Sequence, residues 1–161
     1  MSKCPFAKEA AAIAAESSRQ AVIPLTALGF WLSDLHTVYI AIDLGSPRTA
    51  GSPEGEVLRK TLRSIAWWAA ALLGCLGVED PAKEFVAEYE RAAVKHPGMT
   101  LECGGHTDET RYYALVEEVG EVASSLTYDN DCVTGHGANL IAEVTQVGAL
   151  ALAWATRYVN Q

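Results

Sequence analysis

Glycine and proline fall in clusters along this chain, and the segments between them place apolar residues at helical spacing. No segment alternates apolar and polar residues as a half-buried strand does, so the expected fold class is all-α. The punctuation marks out about six helices. An alanine-rich stretch over 7–20 has high intrinsic propensity, and Pro24 suits the first turn of a second helix running to about residue 44. "GSPRTAGSPEG" (45–55) breaks the pattern, and a third helix follows over 54–76. In "VEDPAKEF", Asp80 is an N-cap and Pro81 the first residue of a helix that ends near His96, before Pro97 and Gly98. Thr107, followed by "DET", caps a fifth helix with an acidic first turn that continues to about Thr127. "YDNDCVTGHG" (128–137) is turn chemistry, and the sixth helix covers 138–158.

With 161 residues, half of them hydrophobic, the chain is long enough to bury a core of its own and is read as one all-α domain, 1–161. Residues 1–78 lay two long helices around a Gly/Pro-rich loop, as residues 79–161 do. Their carboxylates (Asp34, Asp43, Glu54, Glu56) lack any Glu-x-x-Glu spacing, which leaves this half a degenerate copy or helical padding. A formal charge of −8 and a pI near 4.9 set the chain against phosphate backbones and anionic membranes, which argues against nucleic-acid polymers as partners. The longest uncharged apolar run, 65–78, has 14 residues where a membrane span needs roughly 20, and is expected to be a core helix. The first residues lack a basic start and apolar core of a secretory signal, so the expectation is a cytoplasmic protein whose cysteines (Cys4, Cys75, Cys103, Cys132) are reduced.

Within "YYALVEEVGEVASSLTY" (112–128), Glu117, Glu118 and Glu121 fall inside an arc of roughly 100°, opposite Leu115, Val119, Val122 and Leu126. That alone describes an amphipathic helix with a wet acidic face. The sixth helix changes the weighing. In "ANLIAEVTQVGALALAWATRY", Glu143 shares its stripe with Val147, Leu150 and Trp154, while Ile141 and Leu152 make the other side apolar as well. An unpaired carboxylate on such a helix costs several kcal/mol, and no lysine or arginine lies within a turn of it. The compensating charge must come from a distant basic residue or from a cation shared with other carboxylates. Pairs at i,i+3 project side by side, so Glu118 with Glu121, and Glu143 with Gln146 on an antiparallel neighbour, would converge on one oxygen-rich pocket. Oxygen ligation favours Mg²⁺ or Mn²⁺.

The string "EEVGE" (117–121), the gap to Glu143 and "EVTQ" (143–146) together resemble the EExxE and ExxD motifs of the MazG-like nucleotide pyrophosphohydrolases, all-α enzymes. The likeness extends over the second half, from "AEYERAAVKHPGMTL" (87–101) to "LIAEVTQVGALALAWA", and is nearest small actinobacterial or phage members. It implies Mg²⁺-dependent cleavage of a nucleoside triphosphate between the α and β phosphates, giving the monophosphate and pyrophosphate. Several members remove dUTP or damaged nucleotides. Carried over by position, Glu118, Glu121 and Glu143 are metal ligands and Glu117 orients or deprotonates the attacking water. Gln146, where the family pattern has Asp, offers a carbonyl oxygen but one negative charge fewer. Arg91, Lys95 and Arg111 flank the carboxylate helix as phosphate partners, and the resemblance implies a homo-oligomer, a dimer or tetramer. Two other classes remain open at this point: a non-catalytic nucleotide or metal sensor, and a structural partner-binding bundle. Cys103 with His106 and Cys132 with His136 also mimic zinc spacing in the two loops around the fifth helix.

Overall fold

The computed structural model describes residues 4–43, 49–127 and 139–159. Six helices, α1 (Ala7–Ser17), α2 (Pro24–Asp43), α3 (Pro53–Cys75), α4 (Pro81–Lys95), α5 (Asp108–Ser125) and α6 (Leu140–Ala155), are followed by a 3₁₀ turn over Thr156–Tyr158. No strand occurs among the described residues, and the fold is an all-α bundle. Local chemistry sets the helix ends. Asp80 accepts from the Lys83 amide ahead of Pro81, and Thr107 accepts from the Thr110 amide ahead of an acidic first turn. At the end of α3, Gly77 takes φ 88°, and the Val78 amide reaches back to the Leu73 carbonyl at 3.0 Å. A residue with a Cβ adopts that turn only under strain.

The all-round apolar sequence of α6 makes it the central rod. Eleven of its residues are buried, and it packs on α3 most extensively, then on α5 and α4. Gly148 lies where α6 meets α4. A Cβ there would overlap the ring of fully buried Phe85, so the bare backbone lets α4 lie close against α6. α1 packs on α3 and α4, and α2 on α3 and α5, so one hydrophobic cluster joins both halves of the chain.

α5 and α6 run antiparallel: the Tyr158 hydroxyl just beyond α6 donates to Asp108 Oδ1 at the start of α5 at 2.9 Å, while the first turn of α6 meets the later turns of α5. α2 turns Trp31 inward, its indole Nε1 donating to the Ile65 carbonyl at 3.0 Å. Its outer side carries Leu25, Leu32 and Tyr39, seven residues apart and 76%, 63% and 49% exposed. By length and composition, α2 meets the measure of a membrane-crossing helix, which the 65–78 run does not. Asp34 of α2 is half-buried beside Ser64 of α3, and that burial pushes its carboxyl up. It stands singly where the α5–α6 pair gathers three carboxylates.

Candidate metal centre

Glu118 and Glu121 are i,i+3 on α5, and Glu143 enters from the first turn of α6. One carboxylate oxygen from each lies within 4.8 Å of the other two. The group forms because α5 turns Leu115, Val119 and Val122 into the core, which leaves Glu118 at the margin of the α6 contact. Glu143 is buried and Glu121 exposed, so the cluster is seated in the helix pair with one side open.

The electrostatics are those of crowded carboxylates. Burial, then the charges of Glu121, Glu143, Glu117 and Glu88, raise the Glu118 carboxyl to about 7. Glu143 is pushed up as well, by burial first and then by a hydrogen bond to Glu121 and its charge. Gln146 Nε2 donates to Glu143 Oε2 at 3.1 Å, so the amide meets its neighbour as a donor. Glu118 Oε2 is buried and has no hydrogen-bond partner. An orphaned carboxylate oxygen beside two further carboxylates is a donor set that suits a hard divalent cation.

A cleft of about 510 Å³ opens beside the cluster between α4, α5 and α6. Glu118, Gln146 and exposed Glu117 lie on one side of it, and Glu88, Arg91 and Lys95 of α4 on the other. Met99, Leu101 and Leu150 supply apolar lining. Arg91 holds both oxygens of Glu88, through Nε at 2.8 Å and Nη2 at 2.5 Å.

Glu117, Glu118, Glu121, Glu143, Gln146, Arg91 and Lys95 are thus gathered in one region. Arg111 is not. It is buried at the start of α5, with Nε on the Leu101 carbonyl and Nη2 on the Cys103 carbonyl, both at 2.6 Å, and Nη1 on Asp108. Its guanidinium fastens the α4–α5 loop to α5. Glu88 escaped the sequence reading, although its signal was present: Glu88, Arg91 and Lys95 at i, i+3 and i+7 form one stripe, and two of its three members were read as facing substrate. Cys132 and His136 lie outside the described residues. Cys103 contacts Thr100, and the His106 ring meets the Met99 carbonyl at 2.9 Å. Among the described residues the one group able to hold a metal ion is the carboxylate cluster. No disulfide links Cys4, Cys75 and Cys103.

No family model, curated protein or solved structure matches this chain.

Proposed function

We propose that this protein is a nucleoside triphosphate pyrophosphohydrolase of the cytoplasm, dependent on Mg²⁺ or Mn²⁺, that cleaves between the α and β phosphates to give a nucleoside monophosphate and pyrophosphate. The observation that carries this reading is the convergence of Glu118, Glu121 and Glu143, with one buried oxygen left without a partner, beside a cleft with cationic side chains on its far wall. The resemblance of "EEVGE" and "EVTQ" to the pyrophosphohydrolase motifs adds the nucleotide.

Glu118, Glu121 and Glu143 would hold the cation, which supplies charge neutralisation at the phosphates and a bound water of lowered pKa. Arg91 and Lys95 bind the triphosphate oxygens, Arg91 through its planar fork. Glu117, exposed at the cleft, orients the attacking water and accepts its proton. The cleft volume lies in the range of small-molecule sites, and its apolar lining suits the face of a base. Arg111 has no part in binding here, because its donors are already engaged. The protein acts as a homo-oligomer through the outer stripe of α2, where Leu25, Leu32 and Tyr39 repeat at heptad spacing without an intervening lysine or arginine.

Pyrophosphate release from a panel of NTPs and dNTPs with Mg²⁺ tests the reading. Turnover in wild type that is lost in both Glu118→Gln and Glu121→Gln supports it, and turnover retained in both variants removes the site from these residues. The amide at Gln146, which lowers the charge of the cluster, favours one rival, a sensor that binds cation and nucleotide without turnover. Saturable Mn²⁺ binding with no release across the panel would select it.

A further inference from the structure

Gln146 leaves the cation site one negative charge short of the four-carboxylate pattern it resembles, and a fourth carboxylate stands across the cleft on a different helix. Glu88 of α4 is mostly covered, its side chain 17% exposed. It lines the same cleft as Glu118 of α5 and Gln146 of α6, so it faces both helices. Its two oxygens are taken by the Arg91 fork, and the Arg91 side chain is itself 56% exposed at the cleft. Arg91 also senses the charge of Glu118. A masked carboxylate and its mask thus line the cleft across from Glu118.

We propose that Glu88 is the fourth carboxylate of the cation site and that Arg91 masks it, so that a polyphosphate drawing the guanidinium onto its own oxygens releases Glu88 toward the ion. The inference rests on the cation-site reading above. Two physical facts give it direction. Arg prefers phosphate and carboxylate with the same bidentate geometry, so a triphosphate competes directly for the fork that holds Glu88. A hard cation gains affinity with each added carboxylate oxygen, so the released Glu88 strengthens the site when substrate has arrived and leaves it weaker before. Metal and nucleotide would then bind with positive coupling through one ion pair.

The test is a cycle of metal affinities, read without turnover. Mn²⁺ is titrated into wild type, Glu88→Gln, Arg91→Gln and the double variant, with free Mn²⁺ followed by its electron paramagnetic resonance signal. Both residues lie on the polar side of α4, and neither substitution opens the core. The mask predicts that Arg91→Gln tightens Mn²⁺ by about tenfold, that Glu88→Gln alone changes affinity little, and that Glu88→Gln abolishes the gain in the Arg91→Gln background. Plain field effects predict instead that the Glu88 change weakens binding by the same factor in both backgrounds, and that additive result overturns the proposal. Glu118→Gln is the reference that separates the two readings. Loss of Mn²⁺ binding there with an additive cycle keeps the cation site and removes Glu88 from it, whereas no Mn²⁺ binding in wild type overturns both.

Discussion

Glu118→Gln should stabilise the metal-free protein above neutral pH. In the folded chain burial and its acidic neighbours hold the Glu118 carboxyl near 7, against an ordinary value of 4.5. Below about pH 4.5 the group is protonated in both the folded and unfolded states and favours neither. As pH rises from there the unfolded chain ionises first, so stability falls until the folded carboxyl has ionised too, above about 7. The full difference is about 2.5 pH units, or about 3.4 kcal/mol at about 1.36 kcal/mol per unit. Solvent reaches part of this carboxylate, and screening reduces the effect to about 1–2 kcal/mol. For a domain of this size that is about 3–6 °C in thermal midpoint. Gln keeps the shape of the protonated acid and removes the charge. Thermal unfolding by circular dichroism, in chelator at pH 5 and pH 8, should show the variant level with wild type at the lower pH and more stable at the higher. With millimolar Mg²⁺ at pH 8 the order should reverse, because wild type alone gains a ligand. A gap between the two proteins that does not change from pH 5 to pH 8 would refute the crowding on which the site rests.

Gln146→Asp replaces an amide donor with a carboxylate beside Glu143. It should lower the metal-free midpoint at pH 8 and tighten Mn²⁺ in a direct titration; weaker binding with the fold intact would mean that the site is built around the amide. Arg111→Ala strands the Leu101 and Cys103 carbonyls and should cost about 2–4 kcal/mol in urea unfolding, with no specific rise in KM. Gly148→Ala pushes a methyl into Phe85 and should cost about 1–3 kcal/mol, also by urea unfolding. Leu32→Glu should shift the species seen in analytical ultracentrifugation toward monomer without changing the helical signal, since Leu32 is 63% exposed.

Helix placement was legible because the signals are local: Asp80 before Pro81 and Thr107 before an acidic turn act within a few residues, and the helices begin there. The carboxylate triad was legible for a related reason. Spacing of i,i+3 on α5, set against the one carboxylate on the otherwise mostly apolar α6, allows few other arrangements. Arg111 was misplaced because its partners are backbone carbonyls of a loop, which every sequence contains and no residue type announces. The outer stripe of α2 was missed for the opposite reason. Apolar periodicity reports that a face avoids water, and a partner can cover Leu25 and Leu32 as well as the chain's own core can.

The missing side chain at Gly148 reaches further than the packing it permits. Phe85 seated on bare backbone fixes how closely α4 approaches α6, and α4 carries Glu88, Arg91 and Lys95 while α6 carries Glu143 and Gln146. The span between the basic wall and the acidic wall is therefore gauged from inside the core, by a residue pair with no chemistry of its own. Diversification at 85 or 148 would widen or tilt the cleft as a unit, changing the separation of its two walls while leaving every charged side chain on them unsubstituted.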